Sequence, residues 1–149
     1  VQDHLLVRIP APPVGPGRQA DYVNAVARIE TDLPPAGLLA LLHRVETICG
    51  RKRFVRWGPR TLDLDLIAYN AMVTPGWPRG GTGRGEPLVV PHPMIEARSF
   101  VIGPMMDIAP EWRHPVTGRS TRQIWHRLNR AGAIDGLRHV MGPEWAELA

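Results

Sequence analysis

Cysteine is almost missing from this chain: Cys49 is the single one among 149 residues. A lone thiol cannot close an internal disulfide, so covalent staples play no part in the fold, and the usage fits a reducing, cytoplasmic setting. Lysine is as scarce, with Lys52 the only one among 18 basic residues. No apolar run approaches the roughly 20 residues of a membrane span, and no segment reads as a signal peptide. Internal repeats and low-complexity tails are absent. The net charge of +4 is too small to imply a nucleic-acid partner by itself. What remains, at 44% apolar and 21% charged, is the composition of an ordinary soluble domain with a real core. We expect one domain over 1–149.

Hydropathy periods divide the chain. His4 to Ile9 reads as a short strand. Pro10 to Ala20 holds four prolines and two glycines and reads as a stiff loop. Tyr22 to Thr31 alternates as a second strand, with Tyr22 and Asn24 on one face. A helix starts within Asp32 to Pro35, proline being tolerated in its first turn, and runs to about Cys49, where Gly50 stops it. Leu38, Leu41, Leu42, Val45 and Ile48 form its apolar stripe, and Cys49 is expected to be buried with them. Thr61 to Tyr69 is a third strand. Asn70 to Pro91 reads as a long mobile loop. Met94 to Met106 reads as one or two short helices, Pro110 to Gly118 as a turn-rich connection, Ser120 to Asn129 as an amphipathic helix, and Leu137 to Met141 as a last strand. Met72, Met94, Met105 and Met106 are expected to fill the core. Such a mixture indicates an α+β two-layer sandwich.

The chemistry concentrates in Arg56-Trp57-Gly58-Pro59-Arg60-Thr61-Leu62-Asp63-Leu64-Asp65-Leu66-Ile67. On a strand, Asp63 and Asp65 share one face, with Cα atoms roughly 6.6 Å apart, while Leu62, Leu64 and Leu66 share the other. Two neighbouring carboxylates repel and need positive charge between them. Mg²⁺, which is usually held by one or two carboxylates plus substrate phosphates, answers that need. The Arg60 guanidinium is a permanently charged planar fork suited to phosphate. Arg51 to Arg60 holds five basic residues and no acid. The glycines around Gly81 lack the strand-to-helix context and Lys-Ser/Thr ending of a phosphate loop, and no Cys/His spacing suggests zinc. Residues alone leave several readings open: a metal-dependent Asp-x-Asp nucleotidyl- or glycosyl-transferase, a structural ion-pair cluster, or a basic nucleic-acid module. Against the last, only Phe54 and Trp57 are aromatic in the basic stretch, and the acidic pair follows at once.

The stretch Trp57-Gly58-Pro59-Arg60-Thr61-Leu62-Asp63-Leu64-Asp65-Leu66-Ile67 resembles the signature of hydroxymethyl-dihydropterin pyrophosphokinase, a folate-pathway family. Pro12-Pro13-Val14-Gly15 followed by Asp21-Tyr22-Val23-Asn24, then Glu46 with Gly50-Arg51, and then Pro91-His92-Pro93 with Arg98 and Phe100 agree in order and spacing. The likeness runs from about Arg8 to Trp125. It implies a ferredoxin-like two-layer sandwich, an antiparallel sheet with helices on one face. The Gly-Ser-Asn turn and first strand with which family members begin are not found here, so the domain is expected to be N-terminally incomplete, and an inactive truncated remnant is an alternative.

The resemblance also implies an activity: transfer of pyrophosphate from ATP to the hydroxymethyl group of 6-hydroxymethyl-7,8-dihydropterin, releasing AMP. It assigns two Mg²⁺ ions to Asp63 and Asp65 and the catalytic charge neutralisation to Arg51 and Arg60. The pterin falls to Pro12, Val14, Tyr22, Asn24, Trp57 and Phe100, with Tyr22 and Phe100 stacking on the ring and Asn24 offering a donor and an acceptor. The nucleotide falls to Glu46, Arg53, Trp57, Arg60, His92 and Arg98. The expected partners are therefore these small molecules, with no nucleic acid and no membrane, and the expected state is a cytoplasmic monomer.

Overall fold

The computed structural model describes residues 3–11, 23–49, 62–79 and 88–138. Three strands, β1 (Asp3–Ala11), β2 (Val23–Thr31) and β3 (Asp65–Tyr69), form an antiparallel sheet in the order β2-β1-β3. Helix α1 (Pro35–Ile48) lies between β2 and β3 in the chain, and a 3₁₀ turn (Ile95–Ala97), α2 (Ser99–Ile108) and α3 (Thr121–Arg130) follow β3. Proline opens α1, where a missing N–H costs nothing. A capping box opens α3: the Ser120 hydroxyl accepts from the Gln123 amide while the Gln123 side chain accepts from the Ser120 amide.

The register of β3 on β1 contains one irregularity that sets the layers. Leu6 lies opposite Ala68 but Val7 lies opposite Leu66, so Ile67 has no partner on β1. An extra residue of this kind shifts the alternation of everything beyond it. Leu66 and Tyr69 therefore reach the same face although three residues apart, and both pack with Leu38 and Leu42 of α1, Leu64 and Val90. Ala68 lies on the other side with Val101, Ile102 and Met105 of α2 and Ile124 and Leu128 of α3. On β2 the same division holds, since Val26 packs with the α2–α3 cluster and Ile29 with the α1 cluster. Helices thus cover both faces of the sheet. The expectation of helices on one face is corrected, because both faces of β3 are apolar and each needs its own cover.

Several local expectations also change. The carboxylate strand begins at Asp65, and Leu62 to Leu64 precede it outside any strand; Thr61 lies outside the described residues. The buried stripe of α1 is Leu38, Leu42 and Glu46, whereas Leu41, Val45 and Ile48 face solvent, Ile48 at 80% exposure. Cys49 is exposed rather than buried, because it sits past the end of α1 on the same outer side. Of the four methionines expected in the core, only Met105 is buried; Met72 and Met94 are exposed. Leu137 and Arg138 are not in a strand, and the rest of that expected element lies outside the described residues. Between Asn70 and Pro91, the described residues form hydrogen-bonded turns, with Thr74 tied to Val90 through backbone and hydroxyl.

Candidate active site

The site starts from the backbone of Leu64. Beyond Asp65 the pairing of β3 with β1 stops, so the Leu64 amide lacks a ladder acceptor. The Glu46 carboxylate takes that place, accepting the amide at 2.7 Å through Oε1. Glu46 is 1% exposed and reaches Leu64 from the α1 side of the sheet. A hydrogen bond to a charged acceptor contributes about 1.5–3 kcal/mol, and a buried carboxylate left without one is costly. The sequence expectation placed Glu46 on the nucleotide; the structure buries it beneath the carboxylate segment, on the Leu64 amide. A charged residue at the i+4 spacing of Leu38 and Leu42 was the signal that could have revealed this.

With Leu62, Leu64 and Leu66 all packed on the α1 side, alternation would direct the intervening Asp63 and Asp65 to the opposite face. Asp65 meets Arg98 there, the Arg98 guanidinium donating to Oδ2 at 3.4 Å with both side chains partly exposed. Arg98 stands immediately before α2, and its guanidinium carbon lies 5.9 Å from the centre of the Phe100 ring. Phe100 in turn packs against the α2–α3 cluster. Asn24 joins the same face: Val26 and Asp65 both lie opposite Arg8 of β1, and Asn24 is two residues from Val26. Two strand spacings separate β2 from β3, about 10 Å. Asp63, Asp65, Arg98, Phe100 and Asn24 therefore share one face at one end of the sheet.

His92 is held to β3 by its own backbone, its amide donating to the Ile67 carbonyl at 2.8 Å. Its Nδ1 accepts from the Met94 amide at 3.1 Å. That bond places the proton of the neutral ring on Nε2, which is then a donor. Arg51, Arg53, Trp57 and Arg60, with Pro12, Val14 and Tyr22, lie outside the described residues. Among the described residues no three His, Cys, Asp or Glu side chains gather as a metal site. Two carboxylates on one face suit a cation that completes its shell with substrate phosphates and water, which is the habit of Mg²⁺. No described helix is long and apolar enough to cross a membrane.

An antiparallel sheet carrying two alternating carboxylates beside an arginine and an aromatic ring is chemically suited to handling phosphate and cation together. Comparison with known proteins identifies the family. Residues 7–110 match the family model described as 7,8-dihydro-6-hydroxymethylpterin-pyrophosphokinase (HPPK). Proteins named 2-amino-4-hydroxy-6-hydroxymethyldihydropteridine pyrophosphokinase are 46% identical over 99 residues in Haemophilus influenzae, covering 66% of this chain and 56% of the relative, and 43% identical over 103 residues in Pseudomonas aeruginosa, covering 69% and 58%. The one from Bacillus subtilis is 38% identical over 128 residues, covering 85% and 71%. The chain belongs to the 7,8-dihydro-6-hydroxymethylpterin pyrophosphokinase family. It spans little more than half the length of the first two relatives. Family membership does not favour the Asp-x-Asp nucleotidyl- or glycosyl-transferase reading.

Proposed function

We propose that the protein transfers the pyrophosphoryl group of ATP to the hydroxymethyl oxygen of 6-hydroxymethyl-7,8-dihydropterin, releasing AMP. The observation that carries this reading is the shared face of Asp63 and Asp65, set beside Arg98 and Phe100 in a chain of this family. The hydroxymethyl oxygen attacks the β-phosphorus, a new P–O bond forms, and the bond to the α-phosphate oxygen breaks as AMP leaves. Such a reaction depends on alignment and on neutralising charge. Asp63 and Asp65 would hold two Mg²⁺ ions, which when bound offset the charge of the ATP phosphates. Arg51 and Arg60 neutralise charge on the transferred group. Arg98, which pairs with Asp65, turns to phosphate oxygens when ATP binds. His92 donates from Nε2 to the nucleotide, which Arg53 and Trp57 also contact. Asn24 binds the pterin edge, Tyr22 and Phe100 stack on the ring, and Pro12 and Val14 complete the slot.

The antiparallel sheet supports a ferredoxin-like arrangement in a single domain over 1–149, acting as a cytoplasmic monomer on small molecules rather than on nucleic acid or membrane. The test is removal of either metal-binding carboxylate. Asp63→Asn and Asp65→Asn should each lose most turnover, about 100-fold or more, together with Mg²⁺-dependent ATP binding. Turnover at the parental rate in either variant would refute the assignment.

A further inference from the structure

The reaction just proposed assigns Glu46 no step, yet its buried carboxylate accepts a backbone amide. That amide belongs to Leu64, the residue between the two metal-binding carboxylates. We infer that Glu46 is a positioning residue: by holding the Leu64 amide from the α1 side, it fixes the spacing and direction in which Asp63 and Asp65 present their carboxylates on the other face. The inference rests on the metal role of Asp63 and Asp65 proposed above.

Asp65 is the last residue of β3 paired with β1, opposite Arg8, so strand pairing fixes Asp65 but not Asp63. Leu64 packs its side chain at 9% exposure among Leu38, Leu42 and Leu66, which anchors it without fixing rotation about the chain axis. The 2.7 Å bond from the Leu64 amide to Glu46 supplies that second constraint. Glu46 itself is rigid because it emerges from the buried stripe of α1, one turn beyond Leu42. Rotation of the Leu64 peptide would swing Asp63 away from Asp65 while leaving the sheet and the core as they are. Groups that orient ligand side chains in this way tune metal affinity by about 10- to 100-fold.

Two substitutions separate reach from charge. Glu46→Asp keeps the charge but withdraws the oxygen by one methylene. Glu46→Gln removes the charge but keeps an acceptor oxygen in place. Exchange of the Leu64 amide, followed by NMR in metal-free protein, should be about 10-fold faster or more in E46D and near the parental rate in E46Q. The Mg²⁺ midpoint for binding α,β-methylene-ATP, and for AMP release, should rise about 10-fold in E46D and stay within about threefold in E46Q. The KM for pterin at saturating Mg²⁺ should be unchanged in both, which a general loss of structure would not allow. A parental Mg²⁺ midpoint in E46D, or unaltered Leu64 exchange there, overturns the inference. So does a raised midpoint in E46Q, which remains informative if E46D does not fold. If the parent protein itself shows neither Mg²⁺-dependent binding of the analogue nor AMP release, it is the functional reading that has failed, and the positioning role fails with it.

Discussion

His114 shows how much one side chain can organise when it is dry. It is 1% exposed, lies edge-on between Trp77 and Trp112, and accepts the amides of Val116 and Thr117 at Nδ1, both at 3.2 Å. Burial pushes its pKa below the ordinary 6.5, against the pull of the Glu96 carboxylate, with Arg119 adding to the downward push. The folded protein therefore holds the ring neutral where the unfolded chain would take up a proton. Stability should fall as pH drops from 6.5 toward the lowered value, since the unfolded state binds more protons in that window. Melting curves between pH 7.5 and 5 should show this slope, and His114→Asn, which keeps a polar group but cannot titrate, should flatten it. Equal slopes in the two proteins would contradict the assignment. Glu96 acts at lower pH. Its burial raises the pKa, but bonds from Thr117 and Arg127 and the charge of Arg119 outweigh that and leave it below 4.5, so its contribution is lost only as pH falls below that value. At this scale the sequence was legible where pattern sets direction: Leu62, Leu64 and Leu66 pack together on the α1 side, and Asp65 meets Arg98 on the other. It was not legible where a long-range partner decides, as with the Glu46 bond to an amide 18 residues away.

Helix α1 is the element on which sequence reasoning went furthest astray, for a physical reason. Two apolar stripes run along it at helical spacing, Leu38–Leu42 and Leu41–Val45–Ile48, and periodicity cannot choose between them. The sheet chooses: Leu66, Tyr69 and Leu64 meet the first stripe, and the second faces water. Leu42→Ala should cost about 2–5 kcal/mol, as expected for a buried leucine truncated in a packed core. Ile48→Ala, at a position 80% exposed, should stay within about 0.5 kcal/mol. Denaturant unfolding of the two variants checks both, and similar costs would mean that the outer stripe is covered. The irregularity at Ile67 was equally hidden, because a register shift is a property of two strands and only one can be read at a time. By contrast, the ends of β2, α1 and α3 lay within a residue or two of their expected places. Turn and cap residues such as Pro35 and Ser120 mark them locally.

At the scale of the whole molecule, a sheet covered on both faces leaves one end of β3 as the place for the proposed chemistry. The α1 layer buries Glu46 under that end, and the α2 layer begins there with Arg98 and Phe100. The family was legible in the sequence because a long motif leaves little room for coincidence, and the match over 7–110 confirms it. The layer arrangement was not, because it depends on which faces of β3 find cover. The account is tested most directly by mixing the protein with ATP, Mg²⁺ and 6-hydroxymethyl-7,8-dihydropterin and measuring AMP. AMP should appear in step with loss of the pterin, and only when Mg²⁺ is present. If folded protein releases no AMP, or releases it equally well without Mg²⁺, the proposed pyrophosphoryl transfer at Asp63 and Asp65 is wrong.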